Sequence, residues 1–140
     1  KDIDLFKSSP AYQWLRTDKG IQFIPLGGAG EILLWPSATE GLWDVVHAPE
    51  ENYRRGKWLR LHTGLELSMA MAWGESEAEE RSLLNTGKSA SWRRKPASEK
   101  QVALAERFGF TVTPTMRAGE VGDLISLGFA NRNIDRYVRS

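Results

Sequence analysis

The residues with the most chemistry to offer are Trp92, Arg93, Arg94 and Lys95, which run straight into Pro96-Ala97-Ser98-Glu99-Lys100-Gln101. An indole and three cations stand directly before a helix start. Ser98 with Gln101 fits the S-x-x-Q capping box, in which each side chain satisfies a free backbone N–H of the other. Pro96 separates this helix from what precedes it, because proline disfavours helix in its predecessor. Free N–H groups and the helix dipole make such an N-terminus favourable for a phosphate. Two readings stand side by side: a segment that contacts nucleic acid, or a solvated basic turn whose Trp92 packs onto the core.

Other patterns suggest enzyme chemistry and fall short of it. Thr86-Gly87-Lys88-Ser89 ends like a P-loop, but a P-loop needs a glycine five residues before its Gly-Lys pair, and Ser82 stands there. No buried apolar strand precedes it, so it reads as a connector. Gly27-Gly28-Ala29-Gly30 lacks the full G-x-G-x-x-G and a following helix, and reads as a hairpin turn. His47 and His62 are the only histidines and have no partner at metal-ligand spacing. His62 beside Thr63 reads as a structural residue. There is no G-x-S-x-G nucleophile elbow. Glu75, Glu77, Glu79 and Glu80 form an acidic run expected to be solvated, with ordinary pKa values. The expectation is a non-enzymatic chain with no cofactor and no metal.

Composition supports a folded domain that faces a polyanion. The 140 residues include six Trp, five Phe and three Tyr, ample for a core, and no cysteine, which excludes disulfides and thiol catalysis. No apolar run approaches the length of a membrane span, and Lys1-Asp2-Ile3-Asp4 does not read as a signal or transit peptide. A net charge of +1 hides a division: residues 1–80 carry 8 Lys/Arg against 13 Asp/Glu, and residues 81–140 carry 11 against 5. A basic C-terminal part attracts phosphate backbones without reading sequence, or else its charges merely cover a surface.

The elements that must position these residues are predicted from periodicity. Short runs at 12–15, 21–26, 31–35, 42–47 and 57–62, separated by turn signals, read as an antiparallel β-meander. A helix follows, with Leu65, Met69, Ala72 and Trp73 as its inward stripe and Trp73 buried against the sheet. Glu99–Phe108 is a second helix with Val102, Leu104, Ala105 and Phe108 apolar, stopped by Gly109. Phe110–Thr115 is extended. Gly119–Leu127 is a third helix ending at Gly128, and Asn131–Val138 a further one bearing Arg132, Arg136 and Arg139. The fold class is α+β: an antiparallel β-meander covered by a long helix (1–84), a linker and basic segment (85–97), and a small helix–extended-loop–helix lobe (98–140).

The block Trp92…Lys95-Pro96-Ala97-Ser98-Glu99-Lys100-Gln101…Leu104…Phe108-Gly109-Phe110 resembles a segment near the C-terminus of certain superfamily 2 DEAD/DEAH-type DNA helicases. Gly119-Glu120-Val121-Gly122-Asp123-Leu124-Ile125 resembles their G-E-A-S-D-L-I helix. Trp14, the Gly27–Gly30 turn, Trp43-Asp44-Val45-Val46 and Leu65…Ala70…Trp73 with Glu75 are similar to the meander and helix that precede these. The resemblance covers most of the chain and points to the fungal mitochondrial helicases that act on branched DNA. Ser98 replaces the family's usual Thr, Arg117 stands where a capping Thr is often found, and Gly122 replaces a small polar residue.

The resemblance implies an accessory, non-catalytic DNA-binding domain rather than a motor. The Walker A lysine, the D-E-x-[DH] box and the arginine fingers of the motor lobes are not in these residues. It also implies a mitochondrial location. The expected partners are DNA, single-stranded or branched, and the motor lobes of the same chain; no membrane partner and a monomer are expected. Trp92, Arg93, Arg94, Lys95, Lys100 and Arg117 are the expected contacts, with the cations on phosphate and the indole on an unpaired base. Arg54, Arg55 and Lys57, beside Tyr53 and Trp58, form a second basic cluster, or else a mobile charged hairpin. The rival reading is a protein-interaction module that docks on the helicase core or on a replication partner.

Overall fold

A computed structural model describes Phe6, Ser9 and residues 11–49, 57–82, 87–88 and 90–138. Five strands follow one another across a single antiparallel sheet: β1 (Leu15–Arg16), β2 (Gln22–Pro25), β3 (Glu31–Pro36), β4 (Trp43–Ala48) and β5 (Leu59–Leu65). Three α-helices follow among the described residues: α1 (Leu67–Arg81), α2 (Glu99–Arg107) and α3 (Ala118–Asn133). Short 3-10 turns span Ser91–Arg94 and Asp135–Tyr137. The fold is α+β, an antiparallel meander with a long helix and further helices after it.

Both faces of the sheet are covered, and alternation along the strands decides which residue faces which helix. Ile24, Ile32, Leu34 and Val45 join Trp14, Ala70, Met71 and Ala78 in the core beneath α1. Phe23, Leu33 and Val46 lie side by side across the sheet and turn the other way, onto Ala130 and Ile134. The uninterrupted apolar run Ile32-Leu33-Leu34, fully buried at all three positions, is what a strand covered on both sides requires. The end of α3 is also tied to the β1–β2 turn. Asn131 Oδ1 accepts from the Asp18 N–H at 2.8 Å, and Asp135 Oδ2 from the Lys19 N–H at 2.9 Å.

Three helix readings need correction. The inward stripe of α1 is Ala70, Met71, Gly74 and Ala78, not Met69, Ala72 and Trp73; Trp73 is 43% exposed and Met69 50%. The sheet presents the Trp14 ring to α1, and a Cβ at residue 74 would stand 3.0 Å from it, so the helix turns its smallest residues inward. The third helix does not stop at Gly128. It runs on to Asn133, because Gly128 lies against the Phe108 ring, where a Cβ would come within 2.5 Å, and so serves helix packing. Residues 135–137 then form a 3-10 turn in place of the expected fourth helix.

The loop 50–56 and most of the 83–89 connector lie outside the described residues, as does Arg139. Lys88, the lysine of the P-loop-like run, donates to the Ser9 carbonyl at 2.5 Å through Nζ, and its N–H donates to the Ala11 carbonyl at 2.8 Å. It anchors the segment before the sheet. No helix of the described residues is long and apolar enough to cross a membrane.

Trp14 is thus the core indole, while Trp73, expected inward from its stripe, lies toward solvent. Trp14→Ala should cost about 3–5 kcal/mol, as a large-to-small change in a core. Trp73→Ala should cost no more than about 1.5 kcal/mol, the scale of a single aromatic contact. Urea melts of the two variants check the order; equal losses would place Trp73 in the core.

Candidate nucleic-acid interface

The basic segment is built from a 3-10 turn, a β-bridge and two helix starts. Trp92, Arg93 and Arg94 lie in the turn. The chain then straightens, and Pro96 bridges Arg117 in antiparallel register, with the Ala118 N–H donating to the Lys95 carbonyl at 2.8 Å. The residues preceding α2 are therefore held beside those preceding α3. The α2 start carries the full capping box: Ser98 Oγ accepts from the Gln101 N–H at 3.1 Å, and Gln101 Oε1 from the Ser98 N–H at 3.0 Å. The α3 start is capped from one side only. Arginine has no acceptor, so only the return bond is made, from the Arg117 N–H to Glu120 Oε1 at 3.3 Å.

This scaffold divides the expected contacts. Arg94, Lys95, Lys100 and Arg117 are exposed, and the bridge sets the Lys95 segment against that of Arg117. Arg93 is not among them. Its guanidinium grips Asp123 of α3 bidentately, Nη2 to Oδ2 at 2.6 Å and Nη1 to Oδ1 at 3.1 Å, with 16% and 20% of the two side chains exposed. Burial pushes the Asp123 carboxyl above its ordinary value of 3.8, the Arg93 hydrogen bonds and charge pull it down, and Glu120 adds to the rise. The fork geometry is that of an ion pair. Arg93 therefore locks the turn onto α3, and its charge is already paired. Trp92 is half-buried: Gly122 lies under its ring and the Arg93 guanidinium is 5.4 Å from the ring centroid. The indole forms one wall of a cavity of about 330 Å³ shared with Gln13, Pro25, Gly27 and Ile125.

The second basic cluster is only partly described. Arg54, Arg55 and Tyr53 lie outside the described residues. Lys57 and Trp58 come together with Trp35, Arg60 and Tyr137 around a groove on the α3 side of the sheet. Trp35, Arg60 and Tyr137 were missed from sequence. Trp35 carried a signal, since it continues the Leu33 face two residues on; Tyr137 carried none.

The polar groups expected to be inert are structural. His47 Nε2 donates to the Ala29 carbonyl at 2.7 Å and steadies the glycine turn. Glu75, read as solvated, is instead half-buried: one oxygen accepts from Trp14 Nε1 at 2.8 Å and Ser9 Oγ at 2.6 Å. Glu77, also read as solvated, accepts from His62 at 2.9 Å and from Arg81 Nε at 3.1 Å, and the His62 ring lies 4.4 Å from that of Trp73. Burial acts to raise the Glu77 carboxyl, but hydrogen bonds and charge from His62 and Arg81 outweigh it and hold it below 4.5. Among the described residues, no three His, Asp or Glu side chains are grouped as metal ligands.

Two measurements check this division of roles. A carboxyl lowered on folding stabilises the fold above its unfolded pKa, and that stability is lost as pH falls through the lower, folded value. Glu77→Gln should therefore reduce stability at neutral pH and flatten its decline below about pH 4.5; an unchanged acid limb in pH-resolved melts would contradict the pairing. Arg93→Ala should cost about 1–3 kcal/mol by leaving Asp123 unpaired, while Lys95→Ala and Lys100→Ala should stay within about 0.5 kcal/mol of the wild type in urea melts. A scan of protein-family models, a search of curated proteins and a search of solved structures each found no match to this chain.

Proposed function

We propose that the chain is a non-catalytic DNA-binding domain of an ATP-dependent DNA helicase, holding the phosphate backbone at a fork or branch point while motor lobes elsewhere in the protein hydrolyse ATP. The observation that carries the binding part is the Pro96–Arg117 bridge, which sets exposed Lys95 and Arg117 on adjoining segments with Lys100 in the first turn of α2, while Arg93 is neutralised by Asp123. Exposed cations at two helix starts favour phosphate by charge and by helix dipole together. The helicase part rests on the resemblance of the Trp92–Phe110 and Gly119–Ile125 segments, and a mitochondrial location rests on it too.

A second reading, a docking module for the motor lobes or a replication partner, is favoured by one observation. Met69 and Trp73, one helical turn apart on α1, leave an apolar pair half-exposed. Fluorescence anisotropy over a salt series separates the two. Lys95→Ala, Lys100→Ala and Arg117→Ala combined should weaken binding to all sequences alike and flatten the salt slope by about 2–3 units, from −0.9 per phosphate on duplex or −0.7 on single strands. Wild-type affinity and slope in the folded triple variant would sink the phosphate-holding reading and promote docking.

A further inference from the structure

The α3 side of the sheet is covered only in part. Phe23, Leu33 and Val46 lie under Ala130 and Ile134, but the same face continues along β3 to Trp35 and reaches Trp58 just before β5, past the end of α3. There the chain turns away through Asp135–Tyr137, and Tyr137 leans over the gap. Trp35, Trp58 and Tyr137 form a chain of edge-to-face contacts, with centroids 5.5 and 4.9 Å apart at 85° and 70°. The groove they border, floored by Val46, holds about 610 Å³, within the range of about 300–1,000 Å³ typical of ligand sites.

Its rim is cationic. Lys57 is exposed, and Arg60 is paired with Asp44 through Nε at 3.1 Å. Asp44 is 4% exposed in its side chain and Arg60 61%, so the carboxylate is hidden and the guanidinium is presented to solvent. Arg136 donates to the Arg132 carbonyl and lies 5.9 Å from the Tyr137 ring. Asp135, beside it, is buried and turned inward to the Lys19 N–H. Aromatic faces ringed by exposed cations, with Asp44 and Asp135 buried among the described residues, suit a ligand that is both flat and anionic.

We propose that this groove takes an unpaired nucleobase of a single strand, stacked on Tyr137 and Trp58, with Lys57, Arg60 and Arg136 on the flanking phosphates. Every base has a π-face, so such stacking is sequence-tolerant, while the cations supply the salt-dependent part. The proposal rests on the nucleic-acid reading above and adds to it a preference for single-stranded over fully paired DNA, at a place distinct from the Lys95–Arg117 cluster.

The test uses the whole chain, a fluorescein-labelled thymidine oligonucleotide and a duplex. Tyr137 is 56% exposed, so Tyr137→Ala should leave the fold intact. Single-strand affinity should fall roughly 5- to 150-fold, the equivalent of about 1–3 kcal/mol per stacked base, with the salt slope and the duplex affinity unchanged. Tyr137→Phe should restore binding. An oligonucleotide carrying 5-iodouracil should photo-cross-link to Tyr137 or Trp58, independently of any variant. Unchanged single-strand affinity in Tyr137→Ala overturns the groove; if the Lys95/Lys100/Arg117 triple variant still flattens the slope, the nucleic-acid reading stands without it. An effect of neither variant removes both. Proline-rich peptides also occupy aromatic grooves. A proline decamer whose binding is lost in Tyr137→Ala, with thymidine binding unaffected, would overturn the proposal in favour of a peptide site.

Discussion

Burial of β3 on both faces is the constraint from which the rest of the structure follows. Ile32 and Leu34 need cover on one side and Leu33 on the other, and all three are fully buried. The first demand is met by α1, which approaches closely because it turns Ala70, Gly74 and Ala78 toward Trp14 and the strands. The second is met by residues nearly a hundred positions later, Ala130 and Ile134. The C-terminal helices are thereby drawn back onto the sheet, and Asn131 and Asp135 fasten them to the β1–β2 turn. The exposed aromatic groove exists because this second cover is shorter than the sheet. Where α3 ends, Trp35 and Trp58 are left at its margin.

The same docking sorts the cations. Pressing α3 against the segment before α2 brings Asp123 to Arg93, and a bidentate pair there removes one positive charge from the surface while fixing the 3-10 turn. Lys95 and Arg117 are left facing outward by the bridge between Pro96 and Arg117. An arginine at the α3 cap, where an acceptor side chain would give a complete box, weakens the helix start and leaves a cation beside it. A cap typically contributes about 1 kcal/mol to stability.

The local parts of this account were legible in the residues. Period-two alternation and turn signals at Asp18–Gly20, Gly27–Gly30 and Glu40–Gly41 lead to the five strands, and Ser98 with Gln101 marks the α2 start to the residue. What escaped depends on contacts between distant positions. Periodicity puts Leu65, Met69, Ala72 and Trp73 on one stripe of α1, and only the Trp14 ring on the facing sheet shows that the small residues turn inward instead. Gly128 carries the signal of a helix end, but Phe108 makes it a packing site. Nothing near Arg93 announces Asp123 thirty positions on, nor does Trp35 announce Tyr137. At the candidate site, therefore, the residue types could be read directly, whereas the split between structural and available cations needed the tertiary fold.

The most direct test of the central claim, that exposed cations around the Pro96–Arg117 bridge hold a nucleic-acid backbone, is the salt dependence of binding by the wild-type chain. With Lys95, Lys100 and Arg117 each meeting a phosphate, a plot of log affinity against log salt on duplex DNA should be linear with a slope of about −3. A slope near zero, or no measurable binding at low salt by a folded chain, would contradict the account.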